Sequence, residues 1–318
     1  MLRVTEENKE QALQMKYDLD KKLFAGHLRE QEPMSRHTSW KTGGPAELYF
    51  SPADLKDLVA FMQSLPEDMP VTWLGKGSNL LVRDGGIAGA VISIDGVLDQ
   101  CELVGDTGLQ VGAGLACVKA ARTAGQHGLA GIEFLAGIPG TLGGALAMNA
   151  GAWGGEMWRH VQAVETINRR GELQHYDKSD FNVGYRSVSL PTGEWFISAR
   201  LELVKDDRQA VQARIRNMLS ERAAAQPLGQ LSCGSVFRNP DKDYAARLIE
   251  DCGLKGYAIG GACVSEKHAN FIINTGQATS ADIEMLIETV QSTVQQRHGI
   301  ELIPEVRIIG KASMGGSN

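Results

Sequence analysis

None of the five cysteines, at positions 101, 117, 233, 252 and 263, is spaced from another as CxxC, and their number is odd. The opening, MLRVTEENKEQ, is charged throughout and has no apolar signal core. These two absences predict reduced thiols and a cytoplasmic protein. A basic excess is also missing: 32 Lys and Arg stand against 38 Asp and Glu, for a formal charge of −6. That balance speaks against nucleic acid as a partner but allows a local basic pocket for a phosphorylated small molecule. The seven histidines form no HxxxH or other ligand cluster, which argues against a catalytic metal. No stretch reads as a membrane span. Phe134 to Gly155 carries no charge, yet it holds Pro139 and seven glycines, a backbone too irregular to be satisfied in lipid. It reads instead as buried loop and short helix near a ligand. Repeats and low-complexity tracts are absent, and no exposed coiled-coil seam is evident, which favours a monomer.

What is present is an ordinary globular composition, 43% hydrophobic and 22% charged, on a chain of 318 residues. That length predicts two or three domains. Residues 5–24 read as a polar amphipathic helix closed by Gly26. Ser51-Pro52-Ala53-Asp54 reads as N-cap, first-turn proline and first-turn acid for a helix that carries Leu55, Leu58, Val59 and Met62 and stops at Pro66. Strand-like runs follow: VTWL, AVISI, LVGDTGLQVG, a hairpin VQAVETINRRGELQHYD turning near Arg170-Gly171, and the alternating EWFISARLELV. After Lys205-Asp206-Asp207 come three helical stretches: RQAVQARIRNMLSERAAAQ, AARLIEDCG with Gly253 as its stop, and one from Thr279-Ser280 to Gly299. IELIPEVRIIG then reads as a strand before a frayed tail. Strands and helices cluster rather than alternate, so the fold class is α+β.

Five segments could carry chemistry. In LGKGSNLLVRDGG, Gly75 and Gly77 with Ser78 and Asn79 could form a nest for a diphosphate, although the third glycine of a dinucleotide fingerprint is missing at Leu80 and GK[ST] does not occur; a plain turn is the bland alternative. LAGIPGTLGGALAMNAGAWGG, with Asn149 as its amide side chain, reads as a ligand-binding loop. GYRS offers Arg186 as a carboxylate clamp or a surface residue. In CGSVFRNP, Ser235 lacks the GxSxG and SxxK settings of a hydrolase nucleophile. Cys233 reads as packing, and Asn239-Pro240 as a cap or turn. Glu305 in PEVR is an edge charge or an acid.

Taken in order, these segments resemble the UDP-N-acetylenolpyruvoylglucosamine reductase (MurB) family. The resemblance runs from HTSWKTGGPAELYF (37–50) through LGKGSNLLVRDGG, AGIPGTLGGALAMNAGAWGGE, GYRS, CGSVFRNP and LIEDCGLKGYAIGGACVSEKHANFIIN (248–274) to IPEVRIIG (303–310). The short interval between Arg186 and Gly234 looks like the second, shorter subtype. Val183, where an aromatic often precedes GYR, and Gly144, where some members carry serine, depart from the pattern. The resemblance implies a two-subdomain FAD-binding fold of the vanillyl-alcohol-oxidase type plus a C-terminal α+β substrate-binding domain. The expected division is 1–100, 101–206 and 207–299, with a final strand in 300–318 packing near the first.

It further implies FAD held by Gly75, Gly77, Ser78, Asn79, Ile138, Pro139, Gly140, Gly143, Gly144, Asn149 and Gly151, with NADPH as hydride donor. The implied reaction reduces the enolpyruvyl ether of a UDP-sugar to the lactyl ether of UDP-N-acetylmuramate, passing through an enediolate. By motif match, Arg186 supplies charge to the carboxylate and Ser235 protonates carbon. Glu305 donates as the neutral acid, a form that burial on an apolar strand would favour. Tyr185, Arg238, Asn239 and His268 are implied sugar-nucleotide contacts, with Lys255 and Lys267 equally readable as solvated charges. Two rivals remain: an FAD-dependent alcohol oxidase or dehydrogenase of the same fold, and a non-catalytic sugar-nucleotide sensor.

Overall fold

The computed structural model describes residues 19–313. The first part of the chain builds β1 (His27–Pro33), β2 (Pro45–Ser51), α1 (Leu55–Ser64), β3 (Val71–Leu74), β4 (Leu80–Val82) and β5 (Ile87–Ser93). Four of the strands make a sheet in the order β1-β2-β5-β3, antiparallel between β1 and β2 and parallel elsewhere. Most of the helix expected over 5–24 lies outside the described residues. Within them, only a 3-10 turn at Lys21–Leu23 forms, capped by Asp20. The cap of α1 is Asp54, whose carboxylate accepts the Asp57 N–H at 2.9 Å. Ser51 cannot serve, because it still pairs with His27 in the sheet. The buried Asp57 carboxylate in turn accepts the N–H groups of Ala25, Gly26 and Ala53.

A second sheet uses β6 (Cys101–Val104), β7 (Gly108–Gly112), β8 (Val161–Asn168), β9 (Leu173–Asp177) and a long strand at Glu194–Glu202, all antiparallel. Between β7 and β8 lie α2 (Cys117–Gln126) and the short α3 (Leu142–Ala147), which Thr141 caps. A small hairpin, β10 (Val183–Gly184) with β11 (Ser187–Val188), precedes the long strand, now β12, and gives the order β9-β8-β12-β7-β6. One apolar core spans both sheets, with Phe50, Phe61 and Trp158 fully buried. Burial of such side chains contributes about 1.5–3 kcal/mol each.

The remainder holds α4 (Arg208–Ala225), α5 (Ala245–Asp251), a meander of β13 (Ala258–Ile259), β14 (Ala262–Val264) and β15 (Ile272–Asn274), then α6 (Ser280–His298). The stripe Ile283, Leu286, Ile287, Val290 and Val294 is buried as its spacing predicts, and Gly299 ends the helix with φ of 70°. This second core includes Trp40 and Leu81 from the first part of the chain. The terminal strand is shorter than expected: only β16 (Arg307–Ile309) is regular, parallel to β4. Glu305 therefore sits in irregular chain between β16 and an isolated Pro304–Phe237 bridge.

Candidate active site

The loop joining β3 to β4 carries Gly75, Gly77, Ser78 and Asn79. Gly77 has φ of 59°, and a Cβ there would lie 2.1 Å from the His37 carbonyl oxygen; at Gly75 it would lie 2.5 Å from Thr141 Oγ1. These glycines are thus demanded by the chain's own packing, a reason the sequence alone does not reveal. Gly140 and Gly144 differ: a Cβ at either would meet nothing closer than 3.7 Å. The protein itself leaves room at both, and the room belongs to a cleft.

That cleft has two arms. One, of about 530 Å³, is lined by Gly75, Gly77, Ser78, Asn79, Gly140, Gly143 and Gly144. The other, of about 780 Å³, shares Gly75, Ile138 and Gly140, adds Pro139, and reaches Ser232 and Gly234. Both fall in the size range of nucleotide-sized ligand sites. Arg36, Lys41, Lys76 and Arg222 line the larger arm together with His37, and the four cations among them are a feature that the motifs do not signal. Burial lowers the proton affinity of Arg222, whose Nε donates to Gln226 at 2.8 Å. Glycine clearance beside several cations suits a flexible, anionic dinucleotide.

At the edge of the cleft, the turn between β10 and β11 projects Arg186 from a left-handed backbone, φ 54°. Its Nη2 donates to the Gly151 carbonyl at 2.8 Å and Nη1 to that of Asn149 at 3.4 Å. Nε lies 3.1 Å from Glu305 Oε1 as an ion pair, without the alignment of a hydrogen bond. Both side chains are about 15% exposed. Asn149 is buried; it donates to the Gly184 carbonyl at 3.1 Å and accepts the Trp158 N–H at 3.1 Å. Asn149 and Gly151, expected at the cofactor, thus hold the arginine.

The apolar strand expected around Glu305 is replaced by this guanidinium, because the chain runs irregularly there and turns the carboxylate towards β10–β11. The Glu305 N–H donates to the Val236 carbonyl at 2.7 Å, and its own carbonyl accepts from Asn79 Nδ2 at 3.0 Å. Ser235 therefore precedes a residue tied directly to Glu305. On its other side Cys233 packs its sulfur against the Leu80 carbonyl, 3.6 Å away. Burial pushes that thiol up to about 12, which leaves no reactive thiolate and supports the packing role. Gly234, φ 75°, makes the bend. Buried Asn270, which the sequence reading passed over, clamps the same segment: its amide accepts the Phe237 N–H and donates to the Phe237 carbonyl.

The remaining candidates are more scattered. Tyr185 is exposed, with the Arg186 guanidinium 5.2 Å from its ring centre. Asn239 accepts the Ala245 N–H at 3.1 Å, the cap that its place before a helix suggested. Arg238 and His268 each keep a buried nitrogen without a partner, and burial lowers the proton affinity of His268. Lys255 pairs with Glu250, and Lys267 reaches the Ala223 carbonyl. Among the described residues no cluster of His, Cys, Asp or Glu could hold a metal.

Two sheets packed about a glycine-lined, cation-rimmed cleft define an FAD-binding flavoprotein, and residues 46–177 match the family described as FAD binding domain. Residues 226–309 match the C-terminal domain of UDP-N-acetylenolpyruvoylglucosamine reductase. The enzyme of that name from Alkalilimnicola ehrlichii is 57% identical over 92% of this chain and 98% of its own. That from Methylococcus capsulatus is 54% identical over 90% and 94%. The crystal structure of the Thermus caldophilus enzyme (MurB) aligns with a TM-score of 0.77 at 32% identity, covering 89% of this chain and 99% of that one. This chain belongs to the UDP-N-acetylenolpyruvoylglucosamine reductase family.

Proposed function

We propose that Arg186, Glu305 and Ser235 jointly manage the charge and the proton in the reaction this chain catalyses. The chain is an FAD-dependent, NADPH-linked reductase that converts the enolpyruvyl ether of UDP-N-acetylglucosamine to UDP-N-acetylmuramate in peptidoglycan synthesis. FAD, when bound, supplies the hydride. Residues that would hold it are those of the two arms, chiefly Gly75, Gly77, Ser78, Asn79, Ile138, Pro139, Gly140, Gly143 and Gly144.

The observation that carries the assignment is the 3.1 Å approach of Arg186 to Glu305 beside the segment of Ser235. As the vinyl carbon is reduced, charge develops on the substrate's carboxylate as an enediolate. Arg186, already desolvated and aimed by two backbone carbonyls, meets that charge without reorganising. The substrate carboxylate competes with Glu305 for the guanidinium. Glu305, in the protonated form that this role requires, donates a hydrogen bond to the enediolate oxygen and keeps its proton. Ser235 delivers its proton to carbon, where placement matters more than the weak acidity of a hydroxyl. Tyr185, Arg238, Asn239 and His268 are proposed contacts of the sugar nucleotide, the two unpartnered nitrogens being the stronger support.

The three-part division at about residues 100 and 206 stays a proposal, supported by the two sheets and the separate C-terminal core. We place the enzyme in the cytoplasm as a monomer. Five free cysteines support the compartment, and among the described residues no helix is long and apolar enough to cross a membrane. The test is spectroscopic. Purified protein should show a flavin spectrum that bleaches with NADPH under anaerobic conditions and returns on adding the enolpyruvyl sugar. A colourless protein favours the sensor reading; return of the spectrum with oxygen alone favours the oxidase.

A further inference from the structure

Among the described residues the half-buried Ser235 hydroxyl makes no hydrogen bond, so no contact of its own aims it. Its placement falls to the backbone on either side. Before it, Gly234 bends with φ of 75°. After it, Val236 and Phe237 are buried and run between two other pieces of chain. On one flank the Val236 carbonyl accepts the Glu305 N–H at 2.7 Å, and the Arg238 N–H donates to the Ile303 carbonyl at 2.9 Å. On the other flank the chain turns instead of extending, the Phe271 N–H closing on the His268 carbonyl at 3.0 Å. Buried Asn270 stands there in place of a strand. Its backbone carbonyl accepts the Val236 N–H at 2.9 Å, its Oδ1 accepts the Phe237 N–H at 2.9 Å, and its Nδ2 donates to the Phe237 carbonyl at 2.8 Å. A carboxamide carries the donor and the acceptor of a peptide group, so it can complete a ladder where backbone is missing. Aspartate brings two acceptors and leucine neither.

We infer that Asn270 is a positioning residue for the proton step, which rests on the reading of Ser235 as the proton donor. Its carboxamide fixes the backbone at Phe237 and, through it, the direction of the Ser235 hydroxyl. The same backbone carries Glu305 through the Val236 carbonyl, so loss of the clamp loosens the donor and the acid together. The competing role is a plain core clamp, which would cost stability and leave the folded enzyme with normal half-reactions.

Anaerobic stopped flow on the FAD-loaded enzyme separates the two. Asn270→Leu keeps the volume and removes both side-chain partners of Phe237. Bleaching by NADPH should keep its wild-type rate, while recovery on mixing with the enolpyruvyl sugar should slow about 10²-fold, the cost of a small misplacement at the reacting group. The solvent deuterium isotope effect on recovery should rise above that of the wild type, because the proton then limits the step. Asn270→Asp carries the test should the leucine variant not fold. Ionised, its carboxylate repels the Phe237 carbonyl; protonated, it regains the donor, and burial favours the protonated form. Recovery in that variant should lag the wild type most at about pH 8 and least at about pH 6. Wild-type recovery in Asn270→Leu, equal slowing of both half-reactions, slowing with no rise in the isotope effect, or a lag in Asn270→Asp that ignores pH overturns the inference. Ser235→Ala measured alongside keeps the two readings apart. Slow recovery there with normal recovery in Asn270→Leu removes only the role of Asn270, whereas normal recovery in Ser235→Ala removes Ser235 as the donor.

Discussion

At position 235 the side chain is a hydroxyl, and its proposed use as an acid depends on where the backbone holds it. Cys233 on one side and Val236 on the other are pinned to the first residue of β4 and to Glu305. Arg186 is held in the left-handed region, a conformation costing about 1–3 kcal/mol that persists only where neighbours enforce it. Arg186→Ala should therefore leave flavin reduction by NADPH intact and slow reoxidation by the enolpyruvyl sugar about 10²–10³-fold. Rapid-mixing measurement of each half-reaction checks this, and a defect confined to the NADPH step contradicts it. Cys233→Ala should retain turnover and lose about 1 kcal/mol of stability in urea unfolding, because the thiol packs and does not react. Asn270 had no sequence signal: an asparagine clamping a segment thirty-three positions away looks like any other in a polar run.

Among the elements, α6 shows what a local pattern can and cannot tell. Its stripe, its start at Thr279-Ser280 and its terminal glycine are all readable in the sequence, because each acts within a turn or two. Unreadable was Asp84, whose carboxylate accepts the Ser280 and Ala281 N–H groups at 3.0 Å from across the fold. Thr279 and Asp282 complete a capping box. The start of α6 is thereby fastened to the loop after β4. Thr279→Ala should cost about 1 kcal/mol of stability by chemical denaturation. Asp84→Ala, which strips two donors of their partner at once, should cost more than Thr279→Ala; an equal or smaller loss would show that water replaces it. The start of α1 differs from its sequence pattern for a related reason. Ser51 and Asp54 are both capping residues, and only the pairing of Ser51 in β1–β2 decides between them.

For the whole molecule, order along the chain was legible while cross-chain meetings were not. Arg186 and Glu305 were named separately from their motifs; their ion pair depends on β16 joining β4 and on the β10–β11 turn. The glycines of the β3–β4 loop stand out in the sequence, but their constraint comes from His37 and Thr141, far away along the chain. The fold also carries a pH signature. Burial lowers the proton affinity of His160 and His268, so both stay neutral where an unfolded imidazole, ordinary value about 6.5, takes up a proton. The unfolded state then binds more protons, and stability falls as pH drops through about 6.5. Melting temperatures followed from about pH 8 to 5.5 should decline, and His160→Gln should flatten that decline; an unchanged slope in the variant would exclude His160 as a contributor.

The proton on carbon is the centre of the account, and Ser235→Ala under anaerobic stopped flow addresses it. Flavin absorbance should bleach with NADPH at the wild-type rate, then recover about 10²–10⁴-fold more slowly on mixing with the enolpyruvyl sugar, the usual worth of a positioned acid. Recovery at the wild-type rate would mean that the proton comes from elsewhere, and the assignment of Ser235 would fall.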